Sequence, residues 1–431
     1  MPRHDAAARV TGPRAFLPSI HRLPPTAKEP PMPFLPSRAH RSSTFAAAIG
    51  TAIALLATGA QAADKVKVGL LTTLSGPGSG LGIDIRDGFQ LAVRQGAGKL
   101  GDLPAEVTVA DDQQSPDAAK QTADRLVKRE RVDFMTGIVF SNVMLAVGQP
   151  VFQSRTFYIS ANAGPSQYAG AQCNPYFFSA SYQNDNMHEA VGKTVQDRGF
   201  KKVALLAPNY PAGKDALAGF KRYYKGEVVM EAYTPLSQLD YGAELSKIRA
   251  SGADAVFVFL PGGLGVNFVK QFTGAGLGKE MKLFAPGFSA DEDVIRAVGD
   301  AMVGIFNSSQ WAHDMDNAAN KRFVADFQKE YGRLPTLYAA QGYDAARLID
   351  GAVRRVGGKL EDKAALRKAL EAAPFESVRG PFRFNTNHYP VQDYYLREVV
   401  RDGQGRITNK TVGRVFEAHA DAYAGECRMP S

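Results

Sequence analysis

The stretch KVKVGLLTTLSGPGSGLGIDIRDGFQLAV, residues 65–93, decides how the chain is read. Lys65–Leu71 alternates polar and apolar residues and then turns wholly apolar, the pattern of a strand entering a parallel core. A Gly/Ser-rich run over 75–82 interrupts it, and an amphipathic stretch from Asp84 to Arg94 follows. Strand, glycine-rich turn and helix in that order open a βαβ unit. Gly76, Gly78, Gly80 and Gly82 invite a phosphate-loop reading. The run lacks both the Lys-Ser/Thr ending and the Gly-x-Gly-x-x-Gly spacing that such chemistry needs.

Outward from this unit the alternation continues. Glu106–Ala110, Val132–Thr136, Phe157–Ser160, Lys202–Ala207, Ala255–Leu260 and Lys282–Ala285 predict strands. Ser115–Glu130 predicts a helix with a Ser cap and Pro116 at its first position. Ala243–Ala250 and Asn267–Ala275 predict two more. These are too many units for one small sheet. The pattern pauses near 179–184 and again near 308–314, so two α/β lobes with helices on both faces fit better. The tail differs: 380–386, 394–401 and 411–416 read as extended, with an Asp402-Gly403 turn between the last two. No internal repeat is visible.

A length of 431 residues with 45% apolar content suits two or three domains. The formal charge is +8, but residues 1–62 hold seven basic and two acidic residues, leaving 44 basic and 41 acidic in the remainder. A body so near neutrality does not point to a nucleic-acid partner, and none is expected. Arg38 and Arg41 precede an apolar run from about Phe45 to Thr58 and then Ala60-Gln61-Ala62, a secretory pattern with cleavage expected after Ala62. The run is shorter than the roughly 20 residues a spanning helix needs. Residues 1–31 are rich in Pro, Arg and Ala without periodicity, and Met32 is an alternative start. No Cys follows the apolar run, so a soluble mature chain without a lipid anchor is expected. The two cysteines, Cys173 and Cys427, are either one disulfide fastening the tail or two independent buried thiols. Scattered histidines and the lack of a Cys-x-x-Cys leave no metal spacing.

Several segments, in order, resemble one family. Residues 65–93 are similar to the first strand, loop and helix of the leucine/isoleucine/valine-binding proteins, where Ser-Gly-Pro precedes the ligand cleft. DFMTGIVFSN (133–142) resembles the second cleft loop and ISANAGPS (159–166) the third. Tyr210–Asp215 resembles the Tyr-Gly-x-Gly turn of the second lobe, and QGYDAARLI (341–349) a late helix of the family. The resemblance covers roughly 65–415. It implies a type I periplasmic-binding-protein fold, two doubly wound parallel-sheet lobes joined by three crossover segments near 182, 310 and 385. Lobe 1 would take 64–182 and 312–384, lobe 2 would take 183–311 and 385–431, and 1–62 would be leader and signal peptide. It also implies a monomeric periplasmic receptor without cofactor, handing a small ligand to the membrane permease of an ABC transporter.

The loops 75–82, 137–142 and 162–166 stand where open α/β sheets bind ligands, beyond the carboxyl ends of strands. Their small residues let backbone N–H groups approach an anion, although tight turns alone also explain them. By the resemblance, Ser141 and the N–H groups near Ala163 and Gly164 hold a ligand carboxylate, beside Asn142 and Asn162. Gly164 stands where the family has a Thr. The acid that would hold an amino-acid ammonium falls in LPGGLGVN (260–267), which contains no Asp or Glu; Gly263 and Leu264 are there instead. An ammonium desolvated without a partner is costly. ISANAGPS and CNPYFFSASYQND (173–185) look like the branch of the family that binds aromatic acids. Leu81, Phe140, Tyr182, Tyr210, Phe288 and Trp311 are candidates for an apolar ligand wall, each also explicable as core. His188, His313, His388 and His419 read as surface or capping residues, and Asp111-Asp112 as a solvated helix cap. No nucleophile elbow, P-loop, dinucleotide fingerprint or zinc spacing supports an enzyme. The competing readings are an amino-acid-binding protein and a soluble periplasmic sensor.

Overall fold

In the first strand, β1 (Val66–Thr72), every side chain but Lys67 is buried, which demands cover on both faces. The computed structural model, which describes residues 62–429, supplies that cover. β1 pairs in parallel with β3 (Leu103–Asp111) on one side and β4 (Phe134–Thr136) on the other. With β2 (Lys99–Leu100), β5 (Phe157–Ser160) and β6 (Phe177–Ser179) the order is β2-β3-β1-β4-β5-β6. Between these strands run α1 (Ser79–Gln95), α2 (Pro116–Arg125), α3 (Ser141–Gln153) and the single turn α4 (Ser166–Ala169). Ser115 caps α2 as expected, but the helix stops being regular at Arg125 and ends in a wider turn, Leu126–Glu130. Asp111 and Asp112 are not solvated caps. Asp112 is buried and accepts from the Thr73 hydroxyl (2.7 Å), and Asp111 accepts from the Leu74 amide (2.8 Å), so the pair anchors the loop after β1.

A second sheet repeats the plan with β7 (Lys202–Pro208), β8 (Glu227–Thr234), β9 (Ala255–Val258), β10 (Lys282–Pro286) and β11 (Phe306–Ser309). Its helices are α5 (Asn186–Asp197), α6 (Pro211–Tyr223), α7 (Gly242–Ala250), α8 (Gly263–Gly274) and α9 (Glu292–Val298). The parallel part runs β8-β7-β9-β10-β11, the same order as β3-β1-β4-β5-β6. Both sheets are mixed rather than wholly parallel. β2 is antiparallel to β3, and β11 is followed by antiparallel β13 (Pro390–Arg401), which pairs with β12 (Arg383–Phe384) and β14 (Ile407–His419). Hairpin-connected edge strands need no crossover helix, which is why the tail read differently from the rest.

α10 (Ala318–Tyr331), α11 (Leu337–Arg355) and α12 (Lys363–Glu371) return to the first lobe. The Tyr331 hydroxyl donates to the Asp87 carbonyl (2.8 Å) and the Thr336 hydroxyl to the Asp84 carboxylate (2.7 Å), both on α1. A Cβ on Gly342 would lie 2.1 Å from the Ile85 carbonyl oxygen, and one on Gly88 1.9 Å from that of Ala339. α1 and α11 therefore touch backbone to backbone, and this is what the glycine of the 341–349 motif is for. The chain passes between lobes after β6, after β11 and ahead of β13.

Past β14 the chain leaves the second sheet. Cys427 and Cys173 are disulfide-bonded with α-carbons 5.6 Å apart, so the end assigned by sequence to lobe 2 is tied to lobe 1. The leader, 1–62, lies outside the described residues except for Ala62. Among the described residues no helix is long and apolar enough to cross a membrane.

Candidate functional site

Each sheet reverses its strand order once, between β1 and β4 and between β7 and β9. Such switch points open crevices at the carboxyl ends of strands. Here the two crevices face each other across a small cavity of about 20 Å³, room for about one water with the lobes as they stand. The first lobe contributes Val139, Phe140 and Ser141 after β4 and Asn162 after β5. The crossing after β6 adds Tyr182 and Asn184. The second lobe adds His188 of α5, Tyr210 and Ala212 after β7, Phe259 and Pro261 after β9, and Phe288 after β10. Tyr338 comes from α11.

Of the residues singled out by sequence, Phe140, Ser141, Asn162, Tyr182, Tyr210 and Phe288 line this cavity. Others do not. Leu264 is buried inside the second lobe with Phe268 and Phe272. Leu81 and Gly263 meet between the loop after β1 and the start of α8 instead: Leu81 lies against Gly262, and Gly263 against Pro77. Trp311 is fully buried, donates from Nε1 to Asn320 (2.7 Å) and packs on Phe323, so it is core. Asn142 is on α3 beside Ser141 but off the cavity wall. The expected anion contacts from Ala163 and Gly164 are also corrected. The Ala163 amide donates to the Ile138 carbonyl (3.3 Å) and the Gly164 amide to Asn184 Oδ1 (3.1 Å), so neither is free for a ligand. Gly164 is required by space. A Cβ there would lie 2.3 Å from the Tyr182 carbonyl oxygen.

Anion-binding capacity resides at α3. The helix starts at Ser141, and amides of a first turn have no partners within the helix. Ser141 Oγ accepts from Asn184 Nδ2 (3.1 Å), which leaves the hydroxyl proton to point elsewhere. Around this end the wall is aromatic. Phe288 packs on Tyr182 (centroids 5.0 Å), Phe259 (5.6 Å) and Tyr338 (6.1 Å), and Tyr210 on Phe140 (6.2 Å). Burial holds the Tyr182, Tyr210 and Tyr338 phenols well above their usual range, so they stay protonated donors.

His188 is not a surface residue. It is 1% exposed, with its ring against Phe259 (4.8 Å) and Nδ1 without a partner among the described residues. Burial pushes its imidazole down to about 3, so it is neutral at physiological pH. His388 is likewise buried, stacked on Phe178 (3.9 Å), while His313 and His419 lie beside Glu292 and Glu189. No Lys, Arg, Asp or Glu lines the cavity. Sequence reading missed His188, Asn184, Phe259 and Tyr338. One signal was available: 179–186, SASYQNDN, is dense in polar residues and yet lies between two packed elements, and all eight residues are buried.

The periplasmic binding protein family profile matches residues 65–404. The Leu/Ile/Val-binding protein homolog 6 of Brucella melitensis is 30% identical over 382 residues, covering 86% of this chain and 97% of the relative. A solved ABC transporter solute binding protein from R. palustris, in complex with benzoate, is 34% identical with a TM-score of 0.80, covering 84% of this chain and 99% of that one. Another, from Rhodopseudomonas palustris BisB5 with 3,4-dihydroxy benzoic acid, is 31% identical with a TM-score of 0.77, covering 84% and 99%.

Proposed function

The chain belongs to the periplasmic binding protein family, and from that premise we propose that it is the solute receptor of an ABC importer whose cavity takes a monocyclic aromatic carboxylate. The observation that carries this reading is the character of the cavity wall. It is aromatic, bears no charged side chain, and meets the N-terminus of α3 and the Ser141 hydroxyl at one end. A single negative charge is served there by neutral donors and the helix end. A zwitterionic amino acid would bury its ammonium against His188, the phenols and apolar rings without a carboxylate, at a cost on the order of several kcal/mol. The similar benzoate- and dihydroxybenzoate-bound structures support the same class of ligand. Secretion to the periplasm and delivery to a membrane permease are part of this proposal, supported by the family and by the Arg38–Ala62 sequence pattern. The chemistry is binding, not catalysis.

Calorimetric titration tests this. Benzoate, 4-hydroxybenzoate and 3,4-dihydroxybenzoate are run beside leucine, isoleucine and valine on the purified mature chain. Saturable binding of at least one benzoate with no heat from the three amino acids is the expected result. Binding of leucine with silence from all the aromatic acids would return the protein to the amino-acid receptors.

A further inference from the structure

One carboxylate sits just behind the cavity wall and belongs to neither the ligand contacts nor a surface ion pair. Asp215 lies in the second turn of α6, in the second lobe, and is 7% exposed. It receives three hydrogen bonds. The Ser166 hydroxyl donates to Oδ1 (2.8 Å) and the Ser166 amide to Oδ2 (3.2 Å), both from the first lobe; Asn184 Nδ2 in the crossing donates to Oδ2 (2.8 Å). The same Asn184 nitrogen donates to Ser141 Oγ (3.1 Å), and Asn184 Oδ1 accepts from the Gly164 amide (3.1 Å). Ser141, Gly164 and Ser166 sit on lobe 1, Asn184 on the hinge, and Asp215 on lobe 2.

We propose that Asp215 is a positioning residue that latches the closed cleft, coupling occupancy at Ser141, through Asn184, to the seating of α6 on Ser166. The proposal rests on reading the cavity as the ligand site. A carboxylate held by three donors at once is a strong, geometrically exacting acceptor. Rotation of the lobes about the crossings would separate Asp215 from Ser166 and return both to water, so the bonds belong to the closed form. Asn184 makes the link to the ligand end. When its amide is drawn to Asp215, it also fixes the Ser141 oxygen and so orients the hydroxyl proton toward the cavity. Burial raises the Asp215 carboxyl while the Asn184 and Ser166 bonds oppose that rise, which is the balance expected of a charge held only while its donors are in place.

The test uses the full mature chain as Asp215→Asn, Ser166→Ala and the double variant. Small-angle scattering without ligand gives the balance of open and closed forms. Stopped-flow with benzoate gives association and dissociation rates, and thermal unfolding without ligand reports the fold. The latch predicts a larger ligand-free radius of gyration for Asp215→Asn than for wild type. It also predicts a benzoate off-rate raised about 10-fold or more, as for loss of a hydrogen bond to a charged group, with the on-rate little changed. The double variant should be no worse than Asp215→Asn, since the bonds share one acceptor. Unchanged scattering and an unchanged off-rate would overturn the latch while leaving the ligand reading intact. A fall in ligand-free melting temperature without a change in scattering or off-rate would reduce Asp215 to a structural role and overturn it equally. If wild type binds none of the benzoates but the variants are more open without ligand, the latch stands and the ligand reading fails.

Discussion

Ser141 concentrates the site's chemistry in one hydroxyl. Its oxygen is occupied by Asn184, its proton is available to the cavity, and α3 begins at the same residue. Replacing Ser141 by Ala removes the charge-assisted bond and leaves the helix end. Affinity for a benzoate-type ligand should fall by about 1.5–3 kcal/mol, near 10–150-fold. Ligand-free stability should fall by about 1–3 kcal/mol, because one N–H of the buried Asn184 amide loses its acceptor while the other keeps Asp215. Calorimetry on the variant, with a melting curve of the unliganded chain, separates the two. His188 makes a prediction of opposite kind, about stability and pH. Its imidazole is held down to about 3 from an ordinary 6.5 by burial. Below pH 6.5 the unfolded chain therefore takes up a proton that the folded chain refuses until about pH 3. The contribution is fully present above 6.5 and is lost as pH falls toward 3. Against a His188→Gln variant, wild type should lose about 1.4 kcal/mol per pH unit once well below 6.5, and nothing between pH 7 and 8. Urea titrations of both proteins at pH 7.5, 6 and 5 measure the difference, and parallel curves would contradict it.

At the scale of elements, the sequence was legible where the signal is local. The strand predicted over 65–71 and found at Val66–Thr72 and the Ser115 cap follow from periodicity and punctuation, whereas the 341–349 helix is read from the family resemblance. Six cavity residues were legible because each follows a strand end, where ligands in such sheets lie. His188 and Tyr338 were not, because they sit inside α5 and α11, and which face of a helix meets a cleft is set by the packing of lobes. The Ala163 and Gly164 amides were misread for a related reason. The β5–α4 loop looks like an anion nest in sequence, but its neighbours absorb both donors: the Ile138 carbonyl after β4 takes the Ala163 amide and Asn184 in the crossing takes that of Gly164. That contact yields a prediction. A methyl on Gly164 would meet the Tyr182 carbonyl oxygen at 2.3 Å, and backbone cannot swing away as a side chain can. Gly164→Ala should destabilise the chain by about 1–3 kcal/mol. By pushing on Tyr182 and Asn184 it should also weaken ligand binding. Melting and titration of the same preparation should show both losses together; a stable variant with intact affinity would mean that the loop relaxes freely.

Across the whole molecule, the C-terminal tail acts as a strap over the junction of the lobes. Asp421 accepts from Asn387 Nδ2 (3.1 Å), whose amide also reaches the Ala169 carbonyl (2.8 Å). The Tyr423 hydroxyl donates to Asp185 Oδ2 (2.8 Å), beside the Arg222–Asp185 ion pair that joins α6 to the start of α5. The Cys173–Cys427 bond then fixes the strap's far end to lobe 1 across a sequence separation of 254 residues. A loop of that length, closed covalently, restricts the unfolded chain far more than the folded one, and such bonds typically contribute about 2–5 kcal/mol. The strap adds a second effect: once released, it uncovers Asp185 and removes one of that carboxylate's donors. A Cys173→Ser/Cys427→Ser double variant should therefore unfold at lower urea, with about 2–5 kcal/mol less stability than the oxidised wild type. Dithiothreitol supplies the control. It should bring wild type down to the level of the variant and leave the variant where it was. If reduction leaves the wild-type midpoint unmoved, the bond contributes nothing beyond the contacts that already hold the tail. If the reductant shifts the variant as well, the loss does not come from this pair of sulfurs.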